Sequence, residues 1–261
     1  MNYLQRGLLA GMALLILFSA SACTENKADS LTRVQKAKEI SFAMSGGYPP
    51  FNFFNSENTL VGFDIDVAQE LARRMGVAFK PVTTDWSGII EGLRAGTYDG
   101  ILGSMAVTEQ RLKVVNFSIP YYFSGAQVMV RKDSPIKSAK DLQGKIIGVV
   151  TGTTFADDAA KLGAKEVKLY KDDTQTLMEL NNRVVDGVIT DRVVGVNAMN
   201  SDRFVLSMLG SPLRSENIAV ALRKEDDTLL KKINEELAAM HKDGTLSAIS
   251  RKWLHTDITV Q

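Results

Sequence analysis

The sequence has little cysteine, little histidine and almost no excess charge. One cysteine, Cys23, and two histidines occur in 261 residues. This excludes an internal disulfide, and no group of His, Cys, Asp and Glu has the spacing of a metal site. The 31 basic and 30 acidic residues give a formal net charge of +1, which argues against nucleic acid as a partner. Any partner must therefore be recognised by local chemistry.

A short apolar run near the start of the chain predicts export. Residues 8–18 follow Arg6 and end in small residues, as in a secretory leader, and are too few to span a bilayer. Cys23 comes directly after those small residues, where lipoproteins carry their acylated cysteine. Several acyl chains would anchor the protein stably outside the cytoplasm. An ordinary signal peptide cleaved nearby is the alternative.

We predict three regions along the chain. Residues 1–23 form a lipoprotein signal peptide, residues 24–33 form a flexible tether with no apolar periodicity, and the globular part begins at residue 34. Roughly 225 residues then remain, enough for one large or two medium domains.

Strands and helices alternate through the globular part, which predicts an α/β fold with two halves. In such folds, ligands bind beyond the carboxyl ends of the strands. We predict strands at 40–44, 51–54, 77–82, 98–102, 126–131, 146–150, 187–189 and 218–222. We predict helices at 65–75, 87–95, 139–142, 175–184, 193–199, 228–242 and 246–254, with a further helix opening after residue 154.

Three segments at predicted strand ends could bind ions. Residues 103–111 place small and hydroxyl residues ahead of Arg111, whose planar fork suits a carboxylate. Residues 151–154 could present backbone N–H groups to an anion, and Asp191 follows another strand. Each segment has a structural alternative, since Ser, Thr and Asp also cap helices.

The chain resembles the extracytoplasmic amino-acid-binding proteins of ABC importers. The resemblance rests on motifs in the same order and at the same spacing across nearly the whole globular part. They are Tyr48-Pro49-Pro50-Phe51, Gly62-Phe63-Asp64, Trp86-Ser87-Gly88, Thr108-Glu109-Gln110-Arg111, Phe117-Ser118-Ile119-Pro120-Tyr121-Tyr122, Gly152-Thr153-Thr154 and Lys242-Asp243-Gly244-Thr245-Leu246.

The resemblance implies a type II periplasmic-binding-protein fold, with two α/β lobes joined by two hinge strands and closing on the ligand. Residues 34–124 and 217–261 would form the first lobe, and residues 125–216 the second. The hinges would lie near Gly125 and Ser215. The implied partners are an amino acid and an ABC permease, with no cofactor and a monomeric receptor.

Ligand contacts are likewise implied residue by residue. Arg111 would grip the ligand α-carboxylate, assisted by the backbone N–H of Ala106 and by Thr153 or Thr154 from the other lobe. Asp191 would take the α-ammonium. Each charge of a zwitterion needs a partner once closure excludes water.

Further residues would shape the pocket. Tyr48 and Trp86 would form walls around the ligand, and the region of Ser104 would supply acceptors. Gly103 and Ala106 stand where some relatives have serine, so fewer side chains and more backbone groups would form the polar contacts with the ligand. The neutral Ser45 stands where relatives that bind cationic ligands or glutamine have Asp, which argues against arginine or lysine. Other segments look most like the cystine and polar-amino-acid subgroup, so we predict a polar ligand such as cystine or a glutamine-like amino acid.

Two other functions compete with transport. A cyclohexadienyl dehydratase branch uses the same fold for elimination, which needs a positioned acid or base. His241 and His255 lie far along the chain from the predicted cleft, and Glu109 beside Arg111 is best explained as a helix-start charge. We therefore predict that the protein is not an enzyme. A stand-alone amino-acid sensor is the other alternative.

Overall fold

The computed structural model describes residues 29–260. The predicted leader with Cys23, and residues 24–28 of the predicted tether, lie outside the described residues. The helices are α1 Ser30–Ala37, α2 Phe63–Arg74, α3 Ile89–Arg94, α4 Glu109–Leu112, α5 Phe155–Lys161, α6 Asp173–Asn181, α7 Arg192–Met199, α8 Asp227–Lys242 and α9 Thr245–Leu254. Short 3₁₀ turns occur at Trp86–Gly88 and Ala139–Leu142.

The strands account for both halves that the sequence predicts. They are β1 Glu39–Met44, β2 Gly47–Tyr48, β3 Asn52–Phe54, β4 Leu60–Val61, β5 Ala78–Thr83, β6 Gly100–Ile101, β7 Asn116–Arg131, β8 Ile146–Val150, β9 Glu166–Tyr170, β10 Gly187–Asp191, β11 Leu206–Met208 and β12 Arg214–Leu222. The strands β2, β3 and β4 form a small antiparallel sheet of their own.

Helix α1 occupies residues 30–33, so the prediction of a tether is wrong there. Asp29 caps this helix by accepting a hydrogen bond from the Thr32 N–H at 3.1 Å, and Val34 is fully buried. The buried Val34 side chain gives this helix a tertiary contact, and Asp29 caps its start. Neither is visible in the composition of the segment.

The large sheet has the order β5–β1–β6–β12–β7–β10–β8–β9, with β11 also paired to β7. We call β5, β1 and β6 with helices α2, α3 and α4 the first half of the molecule, and β10, β8 and β9 with helices α5, α6 and α7 and the 3₁₀ turn at Ala139–Leu142 the second half. Within each half the strands are parallel, whereas β7 and β12 run antiparallel to each other between the halves.

The two long strands β7 and β12 connect the halves. Ser215 lies opposite Gly125 in their register, next to the pair Arg214 and Ala126. A Cβ on Gly125 would lie 2.6 Å from the carbonyl oxygen of Arg214, so only glycine fits this crossing. The backbone is therefore crowded at the point where the sequence predicts the hinges.

Candidate ligand-binding site

One cavity lies where the carboxyl ends of the two halves face each other. It occupies about 570 Å³ including its open mouth, and the loops after β1, β6, β8, β9 and β10 line it. The structure brings all nine predicted ligand-binding residues together in its wall, namely Tyr48, Trp86, Gly103, Ser104, Ala106, Arg111, Thr153, Thr154 and Asp191. Their roles toward a ligand stay predictions.

Arg111 reaches the cavity from α4 in the first half. Thr108 caps that helix by accepting a hydrogen bond from the Arg111 N–H at 3.1 Å. The guanidinium donates through Nη1 to the carbonyl oxygen of Ala106 at 2.8 Å, and through Nη2 to that of Gly152 in the second half at 3.4 Å. Its Cζ lies 5.7 Å from the centre of the Trp86 ring, which gives a cation–π contact.

No carboxylate within residues 29–260 forms an ion pair with Arg111. Burial lowers the pKa of its guanidinium, and the negative charge of Glu216 opposes that shift. A half-buried cation held by carbonyl groups keeps further N–H donors for an incoming carboxylate. The geometry thus suits the predicted clamp.

The loop before α4 is held by close backbone contacts. Ser104 has a left-handed φ of +63°, and its N–H donates to the Tyr121 hydroxyl at 2.9 Å. A Cβ on Gly103 would lie 3.0 Å from the Cα of Met44, so this glycine allows the loop to pack on β1. The Ser104 hydroxyl donates to Asp64 at 2.9 Å, so its proton is used within the protein.

Asp64 is a fully buried carboxylate behind the cavity wall. It accepts hydrogen bonds from the Tyr121 hydroxyl at 2.7 Å, the Asn52 amide at 2.7 Å and the Ser104 hydroxyl at 2.9 Å. Asn52 in turn accepts the Gly46 N–H at 2.9 Å. Burial raises the pKa of Asp64 to about 6, although the three hydrogen bonds oppose that shift. Asp64 therefore ties two cavity loops to one point.

Asp191 faces the cavity from the end of β10 in the second half. It is 1 % exposed, and its Oδ1 accepts the Val193 N–H at 2.7 Å, so the residue also caps α7. Burial raises the pKa of Asp191 to about 7, the nearby Ser124 hydroxyl opposes the shift, and the negative charges of Glu216 and Asp173 add to it. The alternative interpretation of Asp191 as a helix cap is thus confirmed, and its contact with a ligand ammonium, which this cap leaves possible, stays a prediction.

The two threonines of the second half use their hydroxyl groups within the protein. Thr153 donates to the carbonyl oxygen of Val150 at 2.7 Å. Thr154 donates to Glu216 at 3.1 Å and accepts a hydrogen bond from Arg214 at 2.7 Å. Both hydroxyl protons are therefore used within the protein. A ligand carboxylate near these threonines would have to accept hydrogen bonds from backbone N–H groups instead.

Aromatic rings close one side of the cavity. The Tyr48 ring stacks on Phe51 with centroids 5.4 Å apart, which fixes its orientation. Burial raises the pKa of the Tyr48 hydroxyl well above its ordinary value, with the charge of Asp191 adding to the shift. Tyr48 therefore stays neutral and presents a hydroxyl beside the buried carboxylates.

The cavity also contains residues outside the predicted set. They are Ser45, Gly47, Val150, Phe155, Lys171, Asp172, Asp173 and Glu216. Three of them, residues 171–173, follow β9, a strand that we did not predict. Since ligands bind beyond the carboxyl ends of the strands, recognition of β9 would have placed these residues at the site. Glu216 lies within β12, where no motif marks it.

A contact across the mouth joins the two halves. The Lys171 Nζ lies 3.2 Å from a carboxylate oxygen of Asp85, and both side chains are exposed. Together with the bond from Arg111 to Gly152, this ion pair holds the halves in contact over the cavity.

Neither a metal centre nor a membrane span is found in the described part of the chain. Across residues 29–260, no group of three or more His, Cys, Asp and Glu side chains could hold a metal ion. Over the same residues, no helix is both long and apolar enough to cross a membrane.

Comparison with known proteins decides the family. The model of the bacterial extracellular solute-binding proteins, family 3, matches residues 40–256. The chain belongs to this family. The resemblance predicted from the motifs is confirmed.

Relatives within family 3 are similar over their whole length. The L-cystine-binding protein TcyJ of Escherichia coli strain K12 is 31 % identical over 258 residues, which cover 98 % of this chain and 97 % of TcyJ. Among solved structures, a histidine-bound substrate-binding protein of an ABC uptake transporter from Streptococcus pneumoniae has a TM-score of 0.84 at 30 % identity, covering 90 % of this chain and all of that one.

A third relative concerns the enzyme alternative. The ancestral amino-acid-binding protein AncCDT-1, described as a precursor of cyclohexadienyl dehydratase, has a TM-score of 0.80 at 31 % identity, covering 86 % of this chain and 99 % of that one. With these neighbours, the predicted two-lobed α/β fold of the family-3 proteins is confirmed.

Proposed function

We propose that this chain is an extracytoplasmic receptor that binds a polar amino acid between its two lobes and delivers it to an ABC permease. The observation that carries the proposal is a pair of unmatched charges in one cavity. Arg111 presents a cation without a carboxylate partner from the first half, and Asp191 presents a carboxylate without a cationic partner from the second, as far as residues 29–260 show. A zwitterion supplies both missing partners.

Closure and binding depend on each other in this proposal. The ligand carboxylate and ammonium would join opposite halves, so the ligand favours the closed state by its differential affinity for it. We place the lobes at residues 34–124 with 217–261 and at residues 125–216. The crossing of Gly125 with Ser215 supports hinges at that point.

The cellular setting rests on the sequence. We propose that Cys23 carries lipid and holds a monomeric receptor at the outer side of a membrane, because it follows a short apolar leader ending in small residues. Delivery to a permease is supported by membership of family 3.

The ligand is proposed to be cystine or a glutamine-like amino acid. Similarity to TcyJ, a protein named for L-cystine binding, supports the first. The two alternatives, a dehydratase-like enzyme and an amino-acid sensor, use the same cavity. Similarity to AncCDT-1, named as an amino-acid-binding precursor of cyclohexadienyl dehydratase, is the reason to test the enzyme alternative with prephenate.

A thermal-shift screen of the purified protein tests the function. The twenty amino acids, L-cystine and prephenate are added one at a time. A ligand present at 100 times its Kd adds about 2.7 kcal/mol and raises Tm visibly. A shift with an amino acid supports the receptor, whereas a shift with prephenate alone, followed by turnover, would make the protein an enzyme.

Arg111→Ala tests the clamp. We expect at least a roughly 30-fold loss of affinity for the ligand found in the screen, because a buried charge pair typically loses about 2–5 kcal/mol when one partner is truncated. Calorimetry measures the Kd. Arg94→Ala, which removes an exposed arginine paired with Glu91, is the control and should bind as the parent does. An unchanged Kd for Arg111→Ala would refute the clamp.

A further inference from the structure

Asp173 is a cavity carboxylate that recognition of one α-amino acid group leaves unmatched. It is the first residue of α6, is 5 % exposed and lines the cavity. Its Oδ1 accepts the Thr190 hydroxyl at 2.5 Å, whereas Oδ2 receives no hydrogen bond from residues 29–260. A buried carboxylate with one donor is costly unless a cation or a proton joins it.

The cations that line the cavity are engaged elsewhere. Lys171 is paired with Asp85 at the exposed mouth. Arg111 points to the carbonyl oxygens of Ala106 and Gly152. Within the described part of the chain, neither cation pairs with Asp173.

The other acidic groups near Asp173 add to its unmatched charge. Glu216 accepts a hydrogen bond from Arg214 at 2.7 Å, but Arg214 also pairs with Asp158 at 2.8 Å, so one cation offsets only part of two carboxylate charges. Asp191 and the half-buried Asp172 are both carboxylates, and the Tyr48 hydroxyl is neutral. A zwitterion brings a single ammonium, which Asp191 takes under the proposed function. The closed cavity then holds more negative than positive charge.

We propose that Asp173 determines specificity by accepting a second cationic group, an ammonium or a guanidinium, carried on the ligand side chain. This inference rests on the proposed function and names the ligand class: amino acids with a second cationic group, such as L-arginine and L-ornithine, or L-cystine, whose other half carries an ammonium together with a carboxylate. Ser45 offers no carboxylate from the first half, which predicted a neutral side chain. Asp173 supplies that carboxylate from the second half of the same cavity.

The ionisation of Asp173 sets the conditions for a test. Burial raises its pKa to about 7, the charge of Asp172 adds to the shift and the Thr190 hydrogen bond opposes it. Measurements at pH 8 therefore examine the ionised carboxylate. A neutral ligand would leave this charge buried without a partner, whereas a dibasic ligand would match it.

Paired ligands isolate the side-chain charge. Calorimetry at pH 8 compares L-arginine with its neutral analogue L-citrulline, and L-ornithine with L-norvaline, and adds L-cystine as a separate ligand. We expect the parent protein to bind a cationic member at least 30-fold more tightly than its neutral analogue, or to bind L-cystine. Asp173→Asn should lower that ratio, or the affinity for L-cystine, at least tenfold, and should leave the affinity for neutral analogues unchanged or higher, because it removes the buried charge that such ligands cannot match.

Two further variants separate the possible failures. Asp157→Asn removes an exposed charge from the second half and should keep the parent ratio. Asp191→Asn should weaken every amino acid alike. If Asp173→Asn also weakens neutral and cationic ligands alike, Asp173 serves the α-ammonium and the inference is overturned.

The parent protein alone can also decide, should Asp173→Asn fail to fold. Preference for L-citrulline and L-norvaline, with no binding of L-cystine, would overturn the role of Asp173 and leave the receptor function intact. If no amino acid binds the parent protein, the proposed function itself fails.

Discussion

Buried carboxylates on the two sides of the cavity differ in how well the protein satisfies them. In the first half, Asp64 receives three side-chain hydrogen bonds at 2.7–2.9 Å. In the second half, Asp191 receives one hydrogen bond from a backbone N–H, and Asp173 receives one from a threonine hydroxyl. All three side chains are at least nine-tenths buried.

The difference separates structural from functional burial. A carboxylate that the protein saturates with donors fixes the loops around it, and its removal strands those donors. A carboxylate with few donors is incomplete until something else binds it. We therefore expect the removal of Asp64 to change stability and the removal of Asp191 to change affinity.

Asp64→Ala should give the largest effect. Three buried donors, on Asn52, Ser104 and Tyr121, would lose their acceptor, and each unsatisfied group costs about 1–3 kcal/mol. We expect the free energy of unfolding to fall by about 3 kcal/mol, measured by urea denaturation without ligand. Asp202→Ala, at an exposed turn, is the control and should change it by less than about 0.5 kcal/mol.

A different result for Asp64→Ala would reverse its assignment. If the free energy of unfolding changed by less than about 1 kcal/mol while ligand affinity were lost, Asp64 would act on the ligand and the contrast with the second half would disappear.

Elements were predictable from the sequence where their hydrophobic pattern and their end residues are local, as in the first half. Helix α2 was predicted within two residues at each end, since apolar residues recur on one face with acidic residues at the start. Strand β9 is a short edge strand and was missed, although the alternation of polar and apolar residues along it is itself a strand signal. The first part of β7, residues 116–125, was missed because it contains Pro120 and is defined by long-range pairing with β12.

Asp191→Asn should give the next largest effect, on affinity and not on stability. Asparagine keeps the cap of α7, so the fold is preserved, but the ionic contact with the ligand ammonium is lost. We expect affinity to fall by at least about 2 kcal/mol, or roughly 30-fold. Calorimetry measures the Kd, and Asp141→Asn, an exposed capping change elsewhere in the second half, is the control.

Retained affinity in Asp191→Asn would move the ammonium site elsewhere in the cavity. A loss of unfolding free energy as large as that expected for Asp64→Ala would show that the single hydrogen bond of Asp191 understates its structural role.

The candidate site was predictable only where motifs mark it. Arg111 and Asp191 stand in recognisable segments at strand ends, and both line the cavity. Asp173 and Glu216 reach the same cavity through contacts between separate elements, with Glu216 accepting a hydrogen bond from Thr154 after β8 and Asp173 accepting one from Thr190 on β10. No local pattern marks Glu216, and Asp173 could have been placed only if β9 had been recognised, so the acidity of the cavity was not predicted.

The pH dependence of the two carboxylates should differ in the property that it changes. Burial raises the pKa of Asp191 to about 7 in the unliganded protein, and an ammonium would favour the ionised form. Binding below pH 7 must therefore release a proton, so affinity should rise with pH by up to tenfold per unit from about pH 5 to 7 and level off above.

Asp64 should instead shape stability. Its pKa rises from 3.8 to about 6 on folding, so the native state favours the protonated form. Its contribution to the free energy of unfolding is full below pH 3.8 and is lost as pH rises through about 6.

Calorimetry in buffers of different ionisation enthalpy counts the protons released on ligand binding. With a neutral amino acid as ligand, which brings no second cation to Asp173, Asp191→Asn should flatten the affinity profile, and Asp64→Ala should leave its slope unchanged. If Asp64→Ala flattened the profile and Asp191→Asn did not, Asp64, and not Asp191, would be the carboxylate whose ionisation is coupled to ligand binding.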